Sequence, residues 1–423
     1  MDVGFPEALL IIGVLLLAAA ALSGWLHGTV LSISVLSVLA GMVLSEAGIV
    51  EASPGAEIVV LTVELALILT LFSDGLFAER ELVRREWHAP ARALVIAMPI
   101  TLLLLALCAK LLFSELSWAE AFLLGAVLSP TDPVVTSAIV TAQRVPRLIR
   151  HTLNLESGLN DGLALPFVLF FLVLATESDG AGGEALHLLA EAIVGGLMGV
   201  GLAFLGGRAL PYLPGAGITG KYEGVYALGL AFAAFGLAEV TYGNGLISVF
   251  VAGIALAVAR HEIPDAFSHF NESVSASFQV ITFFVFGALI VATGWEGGVL
   301  SLAIFIAFAL LAARPAAVLL SFLGIGLPFR QKLFIAWFGP KGVASMLFAL
   351  LVLNSADPNR TLVFDIASFT VLASILAHGL TDTVGADWIH RHVSGGGDED
   401  DVGEGVEADE DETGEAVVPP EHA

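Results

Sequence analysis

Two short polar stretches interrupt otherwise apolar runs of this chain: Ser129-Pro130-Thr131-Asp132-Pro133 and Glu156-Ser157-Gly158-Leu159-Asn160-Asp161-Gly162. An ionised carboxylate within a bilayer is energetically expensive, so an acid at that depth usually marks an ion path, a proton relay or a paired structural charge. Two such clusters in one chain predict a route for small cations.

The composition around these stretches is that of a membrane protein. Of the 423 residues, 57% are hydrophobic and 14% are charged, and the mean hydropathy is +0.90. Runs of about 20 apolar residues are long enough to cross the hydrocarbon core, and lipid leaves helices as the only single-segment solution. We therefore expect an all-α polytopic membrane protein with about thirteen transmembrane helices. The expected spans are 7–26, 29–49, 57–78, 91–113, 117–140, 153–176, 186–208, 222–241, 244–259, 273–293, 298–323, 332–353 and 363–384.

The basic residues predict the orientation of these spans. If the N-terminus is outside, the inner loops hold 13 of the 17 Lys and Arg residues, and the outer loops hold only Arg360. Cytoplasmic loops carry such an excess in membrane proteins. We expect a multi-pass protein of the cell (plasma) membrane with its N-terminus outside and its C-terminus in the cytoplasm.

The C-terminal segment differs from the rest of the chain. From Ser394 onward it carries twelve acidic residues and almost no side chains that could pack. Such a segment is predicted to be disordered. The sequence thus divides into a transmembrane domain at 1–390 and an acidic cytoplasmic tail at 391–423, which serves either as a solvating tail or as a regulatory or calcium-sensing one.

The first polar stretch predicts a broken helix. Pro130 and Pro133 each lack a backbone N–H and clash with the preceding turn, so span five is expected to break near Thr131 and Asp132. A break brings together the Asp132 carboxylate with the hydroxyl and carbonyl of Thr131, and hard cations prefer oxygen ligands. The alternative is a proline kink capped by these two side chains.

The second polar stretch predicts two polar pairs on a helix. Glu156 and Asn160 are four residues apart, as are Ser157 and Asp161, so each pair shares a face. Ser157 and Asp161 form an oxygen-rich patch, and the other pair lies about 100° around the helix. Asp161 either binds an ion or makes a structural hydrogen bond. Glu156, nearer the inner end, is expected to serve structure.

Two spans carry basic residues that complement these acids. Arg314 precedes Pro315 in span eleven, at a depth like that of Glu156, and an ion pair between them costs less than two lone charges. Lys341 lies in Gly339-Pro340-Lys341-Gly342, a second predicted break, in span twelve. Lys341 or Asp132 is expected to complement the partial charges of the exposed helix ends.

The two breaks predict an internal repeat. If spans two to six repeat as spans nine to thirteen, each broken helix is the fourth of its repeat, and the odd offset makes the copies inverted. Inverted repeats whose broken helices cross at mid-membrane are typical of alternating-access transporters. This prediction rests on topology, because the two halves show no clear sequence identity.

These motifs closely resemble those of the NhaP-type sodium/proton antiporters, in the monovalent cation:proton antiporter-1 family. The resemblance covers residues 1 to 390 and includes the paired acidic stretches, the Arg314-Pro315 pair and the Gly-Pro-basic-Gly break. It implies a homodimer with a dimerisation domain and a mobile core of two six-helix-bundle halves that moves like an elevator. The exchanged ions, Na⁺ and H⁺, would be substrates, with no cofactor, and the lipid bilayer is the environment.

The resemblance also implies roles for individual residues. The implied cation ligands are the side chains of Asp132, Asp161 and Ser157 and the Thr131 carbonyl, with Asp74 as a possible further ligand. The implied structural residues are Glu156 and Arg314 as an ion bridge and Asn160 as the partner that holds the site together. Lys341 departs from the Arg that is common in relatives, so a point charge replaces a planar fork.

The predicted function is secondary transport in pH homeostasis. Cation and proton would compete for the same carboxylates, exchanging Na⁺ or Li⁺ for H⁺. Asn160 rather than a second acid precedes Asp161, which favours one-for-one, electroneutral exchange. Potassium/proton exchange on the same scaffold is the alternative. An intramembrane aspartyl protease, the remaining alternative, also needs two spanning acids but in other sequence settings. No enzymatic activity and no nucleic-acid partner are expected.

Overall fold

The computed structural model describes residues 5–26, 33–53, 55–82, 88–132, 145–176, 181–209, 222–259, 265–295 and 297–393. Within these ranges the regular structure is entirely helical. The helices are α1 (Phe5–Leu26), α2 (Ile33–Glu46), α3 (Glu57–Leu82), α4 (His88–Leu112), α5 (Trp118–Val127), α6 (Arg147–Thr176), α7 (Ala181–Ala209), α8 (Glu223–Glu239), α9 (Gly245–Ala259), α10 (Asp265–Thr293), α11 (Val299–Ser321), α12 (Phe329–Trp337), α13 (Val343–Leu353) and α14 (Arg360–Val393).

The predicted fold class is confirmed. Among the described residues, seven helices are long and apolar enough to cross a membrane, and six shorter apolar helices accompany them. Each of these thirteen elements overlaps one of the predicted spans. The second half of predicted span five, from residue 133, lies outside the described residues.

The second predicted break is present, and at the first the helix ends as predicted, although the residues after Asp132 lie outside those described. Helix α5 ends at Val127, and the chain is no longer helical from Leu128 to Asp132. Helix α12 ends at Trp337, and α13 begins only at Val343. The interruptions follow from Pro130 and from the Gly-Pro pair at 339–340, because proline cannot donate the backbone hydrogen bond that a continuous helix needs.

The helices form two groups. Helices α4 to α6 pack with α11 to α14 around the two breaks, and α1 to α3 and α7 to α10 pack beside them. Small residues allow close crossings in the second group: a Cβ atom on Gly75 would overlap the carbonyl of Phe250, and one on Gly253 would overlap the carbonyl of Phe72. Close backbone approach at glycines is typical of helix pairs in membranes.

Helices α4 and α11 share an irregularity. Each contains a five-residue π-helical segment, Ala93–Ala97 in α4 and Ala309–Ala313 in α11. In each helix a proline follows two residues after that segment, Pro99 and Pro315, at the start of the next regular turn. The two helices occupy corresponding places, spans four and eleven, in the predicted repeats. A π segment accommodates the hydrogen bond that the proline cannot make.

The predicted tail lies almost wholly outside the described residues. Helix α14 continues through Val393, so the first three residues of the predicted tail, 391–393, are helical. Residues 394–423 are not among those described.

Candidate functional site

The two breaks cross and are joined by backbone and side-chain hydrogen bonds. The Asp132 N–H donates to the Pro340 carbonyl at 2.9 Å. The Oδ2 atom of Asp132 accepts a 2.9 Å hydrogen bond from the N–H of Val343, the first residue of α13. Gly342, at the N-cap position of α13, has no side chain to cap that helix. Asp132 therefore supplies the cap across the crossing, where a negative charge is stabilised by the helix dipole.

Lys341 complements the other helix end. Its side chain is buried, and Nζ donates to the carbonyls of Ser129 and Pro130, each at 3.3 Å, just beyond the end of α5. A cation at a helix C-terminus is favoured by the dipole. The sequence offered Lys341 or Asp132 as the residue that complements the helix ends, and the structure uses both, each at one end.

Helix α6 presents its polar residues to the first break. The Nδ2 atom of Asn160 donates to Thr131 Oγ1 at 2.7 Å and lies 3.3 Å from the Thr131 carbonyl. The hydroxyl groups of Thr131 and Ser157 are 3.4 Å apart. Asn160 thus reaches the same break as Ser157, as expected for two residues that are three apart on one helix.

Several oxygen atoms at this crossing have no donor. Among the described residues, Asp161 Oδ1, Asn160 Oδ1 and Asp74 Oδ2 are buried and lack a hydrogen-bond partner. Asp74, on α3, lies beside Asp161, and Asp132 is close enough to both to interact electrostatically. Buried acceptors without donors are costly unless a proton or a cation satisfies them.

The oxygen atoms at this crossing are suitable ligands for a small transported cation. All the available groups are carboxylate, hydroxyl, amide or carbonyl oxygens, which are the ligands of hard cations. In the part of the chain that the structure describes, no group of three or more His, Cys, Asp or Glu side chains could hold a metal ion. The carboxylates therefore do not converge as a resident metal centre does, and hydroxyl and carbonyl oxygens must complete any cation site.

Glu156 and Arg314 form a bidentate ion pair below the crossing. Arg314 Nη1 lies 2.6 Å from Glu156 Oε1, and Nη2 lies 3.1 Å from Oε2. Both residues are buried, and Nη2 also approaches the Ile335 carbonyl of α12 at 3.5 Å. A Cβ atom on Gly339 would overlap the guanidinium, so any larger residue there would displace Arg314 from its present position. The pair ties α6 and α11 to the helix that leads into the second break.

Two residues of α14 that the sequence did not single out hold the second break. Ser374 Oγ accepts a hydrogen bond from the Lys341 N–H at 2.8 Å. His378 lies one turn further along, with Nδ1 3.2 Å from Ser374 Oγ and Nε2 2.9 Å from the Trp337 carbonyl. These contacts fasten both sides of the interruption between α12 and α13 to α14. A bundle of membrane-spanning helices in which two helix breaks meet at a buried acidic site is typical of secondary transporters.

Comparison with known proteins identifies the family. The chain belongs to the sodium/hydrogen exchanger family of transmembrane proteins, whose model matches residues 12–384. It is similar to the K⁺/H⁺ antiporter NhaP of Alkalimonas amylolytica, with 25% identity over 392 residues, covering 91% of this chain and 67% of the relative. The Na⁺/H⁺ antiporter 2 of Zygosaccharomyces rouxii is 24% identical over 382 residues, covering 79% of this chain and 46% of the relative.

A solved structure shares the fold. The sodium proton antiporter MjNhaP1 from Methanocaldococcus jannaschii, determined at pH 8, superposes with a TM-score of 0.73 at 22% identity, covering 91% of this chain and 97% of that one. The chain spans about two thirds of the length of the Alkalimonas relative and less than half of the Zygosaccharomyces relative.

The family assignment settles the class of activity. The chain is an NhaP-type cation/proton antiporter of the cation:proton antiporter-1 family, and its transported ions are substrates that require no cofactor. It is a transporter rather than an enzyme, so the aspartyl-protease interpretation is excluded.

Proposed function

We propose that this antiporter exchanges Na⁺, or Li⁺, for H⁺ at the crossing of the two broken helices, one ion for one. The observation that carries the proposal is the set of buried oxygen atoms without donors at that crossing, on Asp161, Asn160 and Asp74. A site that leaves such acceptors unpaired in the protein alone is suited to exchange a proton for a cation.

Four residues are proposed as the cation ligands: Asp132, Asp161 and Ser157 through their side chains and Thr131 through its carbonyl. The contacts of Thr131 with α6 support this set, because its hydroxyl lies 3.4 Å from Ser157 Oγ and its carbonyl lies 3.3 Å from Asn160 Nδ2. Asp74 is proposed as a further ligand, since its carboxyl group lies beside Asp161. Asp132 has the additional task of capping α13.

Four further residues are proposed to shape the site without binding the ion. Asn160 fixes Thr131 through its 2.7 Å hydrogen bond. Lys341 and the Glu156–Arg314 pair balance the charge of the acids near the crossing. This assignment agrees with the general rule that a charge within a bilayer is paired or functional.

The exchange follows from competition at one carboxylate. Burial favours the neutral form of an acid, whereas a bound cation favours the ionised form. A proton on Asp161 therefore opposes cation binding, and a cation at Asp161 expels the proton. Because Asn160 cannot titrate, Asp161 is proposed as the one group that exchanges its proton for the cation, which makes the cycle electroneutral.

Potassium/proton exchange is the second candidate. It is favoured by the names of relatives, since both the Alkalimonas NhaP and the Shewanella oneidensis NhaP2, 27% identical over 287 residues, are called K⁺/H⁺ antiporters. Sodium is preferred here because the Zygosaccharomyces relative and the structural neighbour MjNhaP1 are named for sodium.

Proteoliposomes with a trapped pH-sensitive dye test both the cation and the site. We expect added Na⁺ or Li⁺ to drive proton movement in the wild-type protein and K⁺ to drive little. Asp161→Asn should abolish the response while leaving folded protein in the membrane. Glu115→Gln, which removes an exposed carboxylate outside the site, is the matched control and should respond as wild type.

The two possible failures are distinguishable. Wild-type proton movement in Asp161→Asn would overturn the assignment of the shared site. A larger response to K⁺ than to Na⁺, still dependent on Asp161, would replace sodium by the second candidate.

The larger architecture of the transport cycle is also proposed. Residues 1–390 are taken as the transport domain, in keeping with the family match to residues 12–384, and 391–423 as a cytoplasmic tail. We propose a homodimer in which the group around the two breaks moves like an elevator against the group formed by α1 to α3 and α7 to α10. The apolar faces of α1 and α7 that remain uncovered, such as Leu17 and Leu197, are available for lipid or for the second copy.

Oligomeric state and orientation have direct tests. Native mass spectrometry of the detergent-solubilised protein should show two chains, and a monomer alone would contradict the dimer. In a Cys108→Ala background, a cysteine added at position 423 should react with an impermeant maleimide in inside-out vesicles but not in right-side-out ones. The opposite pattern would reverse the proposed N-terminus-outside topology.

A further inference from the structure

A second pair of carboxyl groups lies away from the crossing. Glu120 is in the first turn of α5, and Asp357 is in the loop that precedes α14. Both are almost fully buried, at 3% and 1% relative exposure. Helix α5 leads into the first break, and α14 holds the second, so this pair stands at the far ends of two helices that build the ion site.

Asn359 joins the two carboxyl groups. Its side-chain Nδ2 donates to Glu120 Oε1 at 2.8 Å, and its backbone N–H donates to Asp357 Oδ1 at 2.7 Å. The other oxygen of Glu120 accepts the N–H of Ser117 in a capping box. Asp357 Oδ2 is buried and has no donor among the described residues, and the Glu120 carboxyl group is its neighbour.

The charges around the pair leave it without a counterion. Arg360 is exposed and directs its guanidinium to the Ser355 carbonyl at 2.7 Å, although its charge still acts on Asp357. Lys110, from α4, donates to the Leu116 carbonyl. The Glu115 side chain is exposed and adds negative charge nearby, while its carbonyl accepts from Asn359. In the part of the chain that the structure describes, neither Glu120 nor Asp357 has an ion-pair partner.

We propose that Glu120 and Asp357 form a proton-binding site, separate from the cation site, in which one shared proton links the start of α5 to the loop before α14. In the protonated form, Asp357 Oδ2–H donates to the Glu120 carboxylate, which satisfies the one oxygen that lacks a partner. On deprotonation the proton passes to solvent, and two adjacent buried carboxylates repel each other. The shared proton thus stabilises the contact between the start of α5 and the loop before α14 at acidic pH, and its loss weakens this contact at neutral pH.

The electrostatics of Asp357 agree with this geometry. Burial, and then the hydrogen bond and charge of Glu120, raise the pKa of Asp357 to about 6. The folded protein then binds this proton more tightly than the unfolded chain does. The contribution of the bound proton to stability is therefore complete below the pKa that Asp357 has in the unfolded chain. It is lost as the pH rises through about 6. The inference does not rest on the proposed cation or its ligands.

The pH dependence of thermal unfolding tests the site in the purified full-length protein in detergent. Between about pH 5 and about pH 7 the melting temperature of wild type should fall by several degrees relative to that of Asp357→Asn. Asparagine keeps a donor towards Glu120 at every pH, so the two curves should meet in acid and separate near neutrality. Glu115→Gln removes an exposed charge from the same region and should run parallel to wild type.

Two further measurements keep the inference testable if Asp357→Asn does not fold. Glu120→Gln removes the repelling charge, and its melting temperature should likewise lose the wild-type fall near pH 6. The infrared difference between wild type and either variant should contain a carboxylic-acid C=O band at acidic pH that disappears towards neutral pH. Parallel melting curves for wild type and the folded variants, or the absence of that band, would overturn the inference.

Discussion

Removing either partner of the Glu156–Arg314 pair should destabilise the protein strongly. The pair is bidentate, with N–O distances of 2.6 and 3.1 Å, and the side chains are only 4% and 7% exposed. Glu156→Leu leaves a buried guanidinium without a counterion, and Arg314→Met leaves a buried carboxylate. Truncating one partner of such a pair costs about 3–5 kcal/mol. Replacing both partners by apolar residues, Glu156→Leu with Arg314→Met, should recover most of that loss, because no lone charge remains.

Unfolding in mixed detergent micelles of increasing denaturing detergent content measures these free energies, and the double-mutant cycle isolates the coupling. The matched control is the exposed pair His187–Glu191 on α7, whose side chains are 63% and 32% exposed. Glu191→Gln should cost no more than about 0.5 kcal/mol. Single losses below about 1 kcal/mol, or a double mutant whose loss equals the sum of the singles, would refute the account of the pair.

The remaining predictions concern the crossing itself. Gly342→Ala should abolish exchange in dye-loaded proteoliposomes, because a Cβ atom there would overlap the Asp132 carboxylate. The control, Gly229→Ala, places its Cβ atom in open space and should transport normally. An active Gly342→Ala variant would contradict the geometry. Lys341→Met should lower the melting temperature, since two carbonyls beyond α5 lose their buried donor, and an unchanged melting temperature would show that these contacts contribute nothing. For one-to-one exchange, proton flux should be zero where the Na⁺ and H⁺ gradients are equal, whatever membrane potential is imposed. If a net charge crossed the membrane in each cycle, its transfer would gain or lose about 2.3 kcal/mol per 100 mV. A zero-flux point that moves with voltage would therefore refute electroneutrality.

Much of the fold was predictable because its strongest signals are local. Each span is a long apolar run, and each break coincides with prolines or a Gly-Pro pair, whose effect on a helix does not depend on tertiary context. The acids of the crossing were equally visible, since a carboxylate in an apolar run is rare. Two hydrogen-bond partners of Asp132, Pro340 and Val343, by contrast, lie more than 200 residues away in sequence, and no local pattern indicates them.

Ser374 and His378 were missed for a similar reason. A hydroxyl in an apolar helix usually satisfies itself on the preceding turn, as Thr370 does with the Ile366 carbonyl at 2.7 Å. Nothing in the sequence separates Ser374, which instead accepts from a broken backbone, from such a residue. The signal that could have helped is their spacing of four residues, which puts two polar groups on one helix face.

The sequence contains one weak signal for the internal repeat. Residues 93–99 read Ala-Leu-Val-Ile-Ala-Met-Pro, and residues 309–315 read Ala-Leu-Leu-Ala-Ala-Arg-Pro. Both stretches form a π segment followed by a proline-started turn. Only four of the seven residues are identical, and in so apolar a sequence that match does not stand out. The shared backbone irregularity makes it recognisable.

The most direct test of the shared site is proton release on sodium binding. The purified protein in weakly buffered detergent, with a pH indicator, receives NaCl or, as the control for ionic strength, choline chloride. The account predicts that wild type and Glu115→Gln release protons on addition of NaCl, in proportion to the sodium bound, and that Asp161→Asn releases none. Undiminished sodium-dependent release from a folded Asp161→Asn variant would contradict the claim that cation and proton compete for Asp161.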